Sequence, residues 1–269
     1  MTDRQRIGCQ TYTWEMLGED WTGTPEAILD VVSGAGYAGV EFSSAMIGDY
    51  VESSDRFAAA LEQRGLACAG FGYAPSGFTN ADDFERDLDG ALRAIEFCSA
   101  LAAPLCLGGA ASPSRRRYDA KLAQALRFYR DVAERGVAAG VTVCVHPHSH
   151  HGSLIESEAE YDAVLSATAD SGLMFNPDVG HIVRGGQDPM VCLTRYRNRI
   201  AHVHIKDVDA DGSWKPLGGG GIEWRTVFDY LSQTQYTGWI VAEEESDAAR
   251  AAPEAAVIGN REYLASIGL

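Results

Sequence analysis

Apolar positions along this chain follow two alternating patterns. Short, nearly continuous apolar runs occupy residues 7–12, 39–42, 67–73, 104–107, 141–145, 173–176, 200–205 and 238–242. Runs this short and this apolar suit strands buried on both faces. The stretches between them place apolar residues at helical spacing, as at Phe84, Leu88, Leu92 and Ile95, and again at Leu122, Leu126 and Tyr129. Helix boundaries are also written in the chain. Thr24-Pro25 gives an N-cap with proline at the first helical position, and that helix runs to a glycine stop at Gly34-Ala35-Gly36. Ser157 followed by Glu160 predicts a capping box opening a later helix.

Strands alternating with helices predict βαβ units and a parallel sheet. Eight such runs predict an α/β fold of the closed (β/α)8 kind, a TIM barrel, as one domain over residues 1–269. The alternative is an open, doubly wound sheet, but the dinucleotide signature GxGxxG does not follow the first run. The run Gly218–Gly221 reads as a flexible loop and not as a phosphate cradle.

Charge narrows the functional classes. Acidic residues outnumber basic ones 38 to 22, a formal net charge of −16. A nucleic-acid binder needs a basic face, and the only basic run, Ser114–Arg117, reads as a solvated loop. The six cysteines form no CxxC pair, and Cys9, Cys68, Cys106 and Cys144 fall in strand-like runs, where they read as small buried hydrophobes. That usage fits a reducing compartment. The first residues carry no apolar signal core and no segment approaches 18 apolar residues, so the expectation is a cytoplasmic protein that does not enter membranes.

Chemistry concentrates where the strands should end. Of seven histidines, His146, His148, His150 and His151 crowd the end of the fifth run and the loop after it. In α/β barrels that edge carries the active site. His146 and His148 read as functional, and His150 and His151 as solvated loop residues. The other strand ends supply Gln10, Tyr12 and Trp14, then Glu41, Tyr73, Asp178, His181, His204, Lys206 and Glu243. Asp178, His204 and Glu243 form a mixed oxygen and nitrogen set suited to Mn²⁺, with Mg²⁺, Co²⁺ or Zn²⁺ as alternatives. A fourth ligand is offered by His146 and by Glu156. Glu156 is preferred, because hard cations favour carboxylate and because it leaves His146 and His148 for proton transfer. The aromatics Tyr12, Trp14 and Tyr73 suit either sugar stacking or packing of the barrel rim. His202 is read as structural, turned toward the helix layer.

Motifs spread over the chain resemble one superfamily. They are IGCQTYTW at 7–14, AGYAGVEF at 35–42, GVTVCVHPH at 140–148, NPDVGHIVRGGQDP at 176–189, NRIAHVHIKDV at 198–208 and YTGWIVAEEES at 236–246. Together they resemble the xylose isomerase-like TIM barrels, also called sugar phosphate isomerases/epimerases, and within them the inosose (2-keto-myo-inositol) dehydratase branch. The resemblance implies Asp178, His204 and Glu243 as ligands, His181 near substrate or metal, Lys206 on the substrate, and His148 as general base. It also implies a small carbohydrate or cyclitol as the partner, with a homo-oligomer or a second subunit as the protein partner. Many epimerases carry glutamate where this chain has His146, and the branch's Gly-Thr appears here as Gly152-Ser153.

The expected chemistry is α-proton abstraction beside a carbonyl of a keto-sugar or keto-cyclitol, followed by β-elimination that either dehydrates it or cleaves a 3-oxo-glycoside. His148 or His146 exchanges protons, the cation and Lys206 hold the enolate, and Gln10, Tyr12, Trp14, Glu41, Tyr73 and His181 contact substrate. Return of the proton to the other face would make the enzyme an epimerase. A hydrolase acting on nucleic-acid phosphodiesters is opposed by the charge, and a non-catalytic sugar-binding subunit is opposed by the intact Asp178, His204 and Glu243.

Overall fold

The computed structural model describes residues 5–75, 77–110, 112, 114–149 and 152–269, so His150 and His151 lie outside the described residues. The chain forms two compact units, residues 1–69 with 203–269, and residues 70–202.

The first unit holds β1 (Arg6–Gln10), α1 (Tyr12–Glu15), α2 (Pro25–Ala35), β2 (Gly39–Ser43), α3 (Ser54–Glu62) and the start of β3 (Ala67–Tyr73). The second continues with α4 (Ala81–Leu101), β4 (Leu105–Gly108), α5 (Tyr118–Ala139), β5 (Val143–His146), α6 (Glu158–Ala167), β6 (Met174–Phe175), α7 (Val179–Arg184), α8 (Pro189–Arg195) and the first residue of β7 (His202–Ile205). The chain then returns to the first unit through β8 (Asp207–Val208), β9 (Trp214–Lys215), α9 (Trp224–Gln233), β10 (Trp239–Ala242), α10 (Asp247–Ala251) and α11 (Pro253–Ser266). The unit limits thus fall inside β3 and β7. The hydrogen-bonded order of the large sheet is β6-β5-β4-β3-β2-β1-β10-β7. Eight strands alternating with helices, paired in parallel, give the (β/α)8 topology that the apolar runs predict.

The helix signals act as expected. Thr24 caps α2 through the Ala27 amide, and Gly36 ends it at a φ of +86°, a conformation that costs glycine little. Glu160 reaches back from the first turn of α6 to the amides of Ser157 (2.9 Å) and Glu156 (2.7 Å).

In the first unit β1 and β2 are nearly continuous apolar strands, and Ala69, Trp239 and Val241 pack in one buried cluster. Gly39 sits under Trp239, so that a Cβ there would lie 2.7 Å from the indole. In the second unit α4 and α5 each turn one apolar face inward. Phe78 stacks on Phe128 at 4.3 Å between centroids, and Phe71 of β3 meets Phe97 of α4 at 5.0 Å.

Two expectations change. His202 and His204 stand two residues apart on β7, and a strand's side chains alternate, so the two imidazoles share a face of the sheet. His202 therefore does not turn away from His204. The Gly218–Gly221 run is also an ordered wrap. Gly218 donates its amide to the buried Asp207 carboxylate at 2.8 Å, and Gly221 donates to the Val208 carbonyl at 2.9 Å. A Cβ on Gly220 would lie 2.2 Å from Asp207 Oδ1, which explains glycine there.

Candidate functional site

Within the first unit, the ends of β2, β7 and β10 bring together Glu41, His204, Lys206, Glu243 and Glu245. Continuous apolar strands carry these groups into the interior, and all but Glu245 are almost fully buried. His204 lies between two carboxylates, with Nδ1 2.8 Å from Glu243 Oε2 and Nε2 3.1 Å from Glu41 Oε1. Burial disfavours a charged imidazole, but Glu41 and Glu243 outweigh it, and His204 is pushed up to about 10. Lys206 Nζ donates to Glu243 Oε1 at 2.9 Å and also to Glu245 Oε1. Burial pushes the Glu245 carboxyl up; Lys206 opposes this rise and Glu243 adds to it. Burial, with Glu245 and Glu243 adding to it, pushes the half-buried Tyr12 phenol up to about 12.

Within the second unit, β5 and the loops after β5 and β6 assemble a second group. His146 Nε2 lies 3.4 Å from Asp178 Oδ2. Asp178 also caps α7, its Oδ1 accepting from the His181 amide at 2.8 Å. The rings of His146 and His148 are 4.6 Å apart and those of His148 and His181 5.0 Å, both edge to face. The Ser149 amide donates to His181 Nδ1 at 3.0 Å, and the Ser149 hydroxyl lies 3.1 Å from the same nitrogen. A backbone N–H can only donate, so Nδ1 accepts and the proton of this imidazole sits on Nε2. Of the three rings only that of His148 is partly exposed; His146 and His181 are buried.

The remaining expected site residues are placed as follows. Gln10 is buried, its side-chain oxygen accepting from the Tyr12 amide. Trp14 is buried in α1. Glu41, expected on the substrate, lies against His204. Tyr73 is turned away from the strand-end chemistry. Its hydroxyl donates to the Asp87 carbonyl of α4 at 3.1 Å and its ring covers Gly90. The cause is strand alternation: Tyr73 shares a face with Phe71, which packs on α4. Glu156 has Oε2 3.7 Å from Arg115 Nη1, and its side chain is 20% exposed. The structure therefore sets His146 against Asp178 and Glu156 against Arg115.

Three further residues join these groups. Glu245 shares Lys206 with Glu243, and the run Glu243-Glu244-Glu245 was the available signal. Ser149 fixes the His181 tautomer. Trp214 lies with its ring 4.9 Å from Lys206 Nζ, on a hairpin too short and polar to predict.

Comparison with known proteins gives the context. Residues 29–267 match the family described as Xylose isomerase-like TIM barrel. The rhizopine catabolism protein MocC of Rhizobium meliloti is 30% identical over 90% of this chain and 82% of its own length. An inosose dehydratase of Clostridium tetani is 33% identical over 135 residues, 44% of this chain and 45% of that protein, so the match spans under half of the relative. Among solved structures, an IOLI protein with a bound zinc atom superposes with a TM-score of 0.82 at 12% identity, covering 98% of each chain. Among the described residues, no helix is long and apolar enough to cross a membrane.

Proposed function

Because the chain belongs to the xylose isomerase-like TIM barrel family, we propose that it is a divalent-metal-dependent lyase that dehydrates a keto-cyclitol or keto-sugar of the inosose kind. The observation that carries this reading is the set of buried imidazoles and carboxylates at the strand ends. His146, Asp178, His204 and Glu243 are all buried, and each offers a ligand atom of the type that holds a divalent cation. The named activity of the inosose dehydratase relative supports the substrate class, and the zinc bound by the IOLI protein supports a metal.

The donors fit such an ion by their chemistry. Buried charges persist only when they are paired or coordinate metal. His204 flanked by two carboxylates, and Asp178 beside His146, are groups that a cation would balance without the imidazole protons. The ligands proposed are Asp178, His204 and Glu243, with His146 as the fourth donor in place of Glu156. When bound, the cation would supply Lewis-acid polarisation of a substrate ketone.

The protein's own groups do the rest. His148, the accessible imidazole, takes the proton next to the carbonyl. The ammonium of Lys206 donates to the oxygen that gains negative charge. His148 then returns its proton to the departing β-hydroxyl, and water leaves. His181, its Nε2 protonated, is a fixed hydrogen-bond donor. The partner proposed is the small-molecule substrate, and the setting proposed is the cytoplasm.

The reading is tested by metal content and turnover in variants. Asp178→Asn should lose the bound ion, and His146→Ala should lose more of it than Glu156→Gln. His148→Ala should keep the ion and lower turnover by about 10²–10⁴-fold. Unchanged turnover in His148→Ala would remove that residue from the mechanism.

A further inference from the structure

The second unit holds a cleft of about 510 Å³ between the start of α4 and one side of α5. None of the strand-end imidazoles or carboxylates is among its described lining residues. Thr79 and the first turn of α4 form one wall, and Arg117 and Lys121 belong to the other. The first wall is held in place from behind, because Phe78, the neighbour of Thr79, stacks on Phe128 of α5.

The donors outnumber the acceptors here. α4 is 21 residues long, and its N-cap residue Asn80 makes no side-chain cap. The first amides of a helix have no partner within it and carry the positive end of its dipole. Residues 81–83, which bear those amides, line the cleft. Thr79 is an independent sign of a ligand. It is only 5% exposed, and its hydroxyl has no hydrogen-bond partner among the described residues. Buried hydroxyls are rarely left so. Lys121 Nζ donates to Ser112 Oγ and to the Ser114 carbonyl, both at 2.6 Å, so it adds charge to the cleft. Arg117, the end of the basic run, is exposed and holds a φ of +58°, a left-handed conformation that costs a residue with a Cβ. Of the two acids in the lining, Asp83 is paired with Arg86 at 2.7 Å, which sets Arg117 and Lys121 against Asp82 alone.

We propose that this cleft binds a small phosphate monoester. Its phosphoryl group lies at the start of α4, on the amides of residues 81–83, the Thr79 hydroxyl and the Arg117 guanidinium. The cleft has the volume of a small-molecule site, more than a bare phosphate ion fills. The inference does not depend on the dehydratase reading.

The test is isothermal titration calorimetry with inorganic phosphate and with glucose 6-phosphate at constant ionic strength, beside melting curves without either. The wild type should bind both at millimolar concentration or below, the ester more tightly. Thr79→Val exchanges the hydroxyl for a methyl group of the same shape. It should weaken binding about 10-fold, the scale of one hydrogen bond to a charged group, and leave Tm unchanged or raised. Arg117→Gly removes the cation and relieves the backbone, so binding should weaken while Tm does not fall. Asp178→Asn should bind phosphate as the wild type does, which separates the cleft from an anion held on a metal at the strand ends. Wild-type affinity in the Thr79 and Arg117 variants would overturn the inference, as would the absence of heat with both probes or binding lost in Asp178→Asn alone. A lower Tm in Thr79→Val would make the hydroxyl structural and remove it from the site. Equal affinity for the two probes would overturn the ester in favour of the free anion.

Discussion

Replacing Asp207 with alanine should weaken the protein by an amount that follows from its contacts. The carboxylate is almost fully buried and accepts from the Trp224 indole at 2.9 Å, from Gly218 N at 2.8 Å, from Val208 N at 2.9 Å, and from Ile222 N at a long 3.4 Å. Trp224 is itself buried, so its N–H would be stranded, at about 1–3 kcal/mol. The Gly218 amide is near solvent and can find water, so its loss is nearer about 1 kcal/mol. The Val208 amide is buried and would also be stranded, at about 1–3 kcal/mol. The Ile222 contact is too long to add much. The expected cost is about 3–7 kcal/mol. At about 2 cal/mol/K of unfolding entropy per residue over 269 residues, this lowers Tm by about 6–13 °C. Differential scanning calorimetry measures it directly, with the exposed Asp209→Ala as a control expected within about 0.5 kcal/mol of wild type. A double-mutant cycle with Trp224→Phe should show coupling of about 1 kcal/mol or more. A Tm drop no greater than that of the control, or strict additivity in the cycle, would refute the claim that Asp207 organises the glycine wrap.

Other consequences are equally specific. Glu160 is a carboxylate whose burial would raise its pKa, but the Ser157 and Glu156 amides and Arg115 lower it below 4.5. A lowered folded value stabilises the fold above the unfolded value and ceases to do so as pH falls through the folded one. The stability gap between wild type and Glu160→Gln should therefore be constant above about pH 5 and close below 4.5; a gap independent of pH in urea titrations would contradict it. Gly39→Ala must push a Cβ into Trp239 at 2.7 Å and into the Ala67 carbonyl at 2.8 Å, so denaturant unfolding should show a loss of about 1–3 kcal/mol, and a neutral result would disprove that packing. Ser149→Ala leaves the amide donor to His181 Nδ1 in place, so a turnover loss far smaller than that of His148→Ala is expected in the same assay. Chelation should lower Tm and added Mn²⁺ should restore it, because a ligand of the folded state stabilises it by mass action; identical melting curves would count against a resident ion.

The fold was legible because its signals are local and repeated. Each buried strand is a short apolar run and each helix a 3.6-residue pattern with its own caps, as at Thr24, Gly36 and Glu160. The candidate site was legible in outline because polar residues at the ends of apolar strands stand out. What the sequence hid was direction. Tyr73 and Gln10 both end strands, yet Tyr73 shares the face of Phe71 and goes to α4, while Gln10 turns back onto the Tyr12 amide. His202 was misread for the same reason, since two residues on a strand restore the face. Glu156 was preferred as a fourth ligand without regard to Arg115, which lies 41 positions earlier and which only the fold brings to it. The hairpin bearing Trp214 gave no periodic signal, because each of its strands is two residues long.

The central claim is that this chain removes water from a keto-cyclitol. The most direct test is to incubate the purified, Mn²⁺-supplemented protein with scyllo-inosose and follow the product by mass spectrometry and by the ultraviolet absorbance of the new conjugated enone or diketone. The account predicts a product lighter by one water, formed by the wild type and not by Asp178→Asn. Recovery of unchanged inosose, or of an isomer of the same mass, would contradict it.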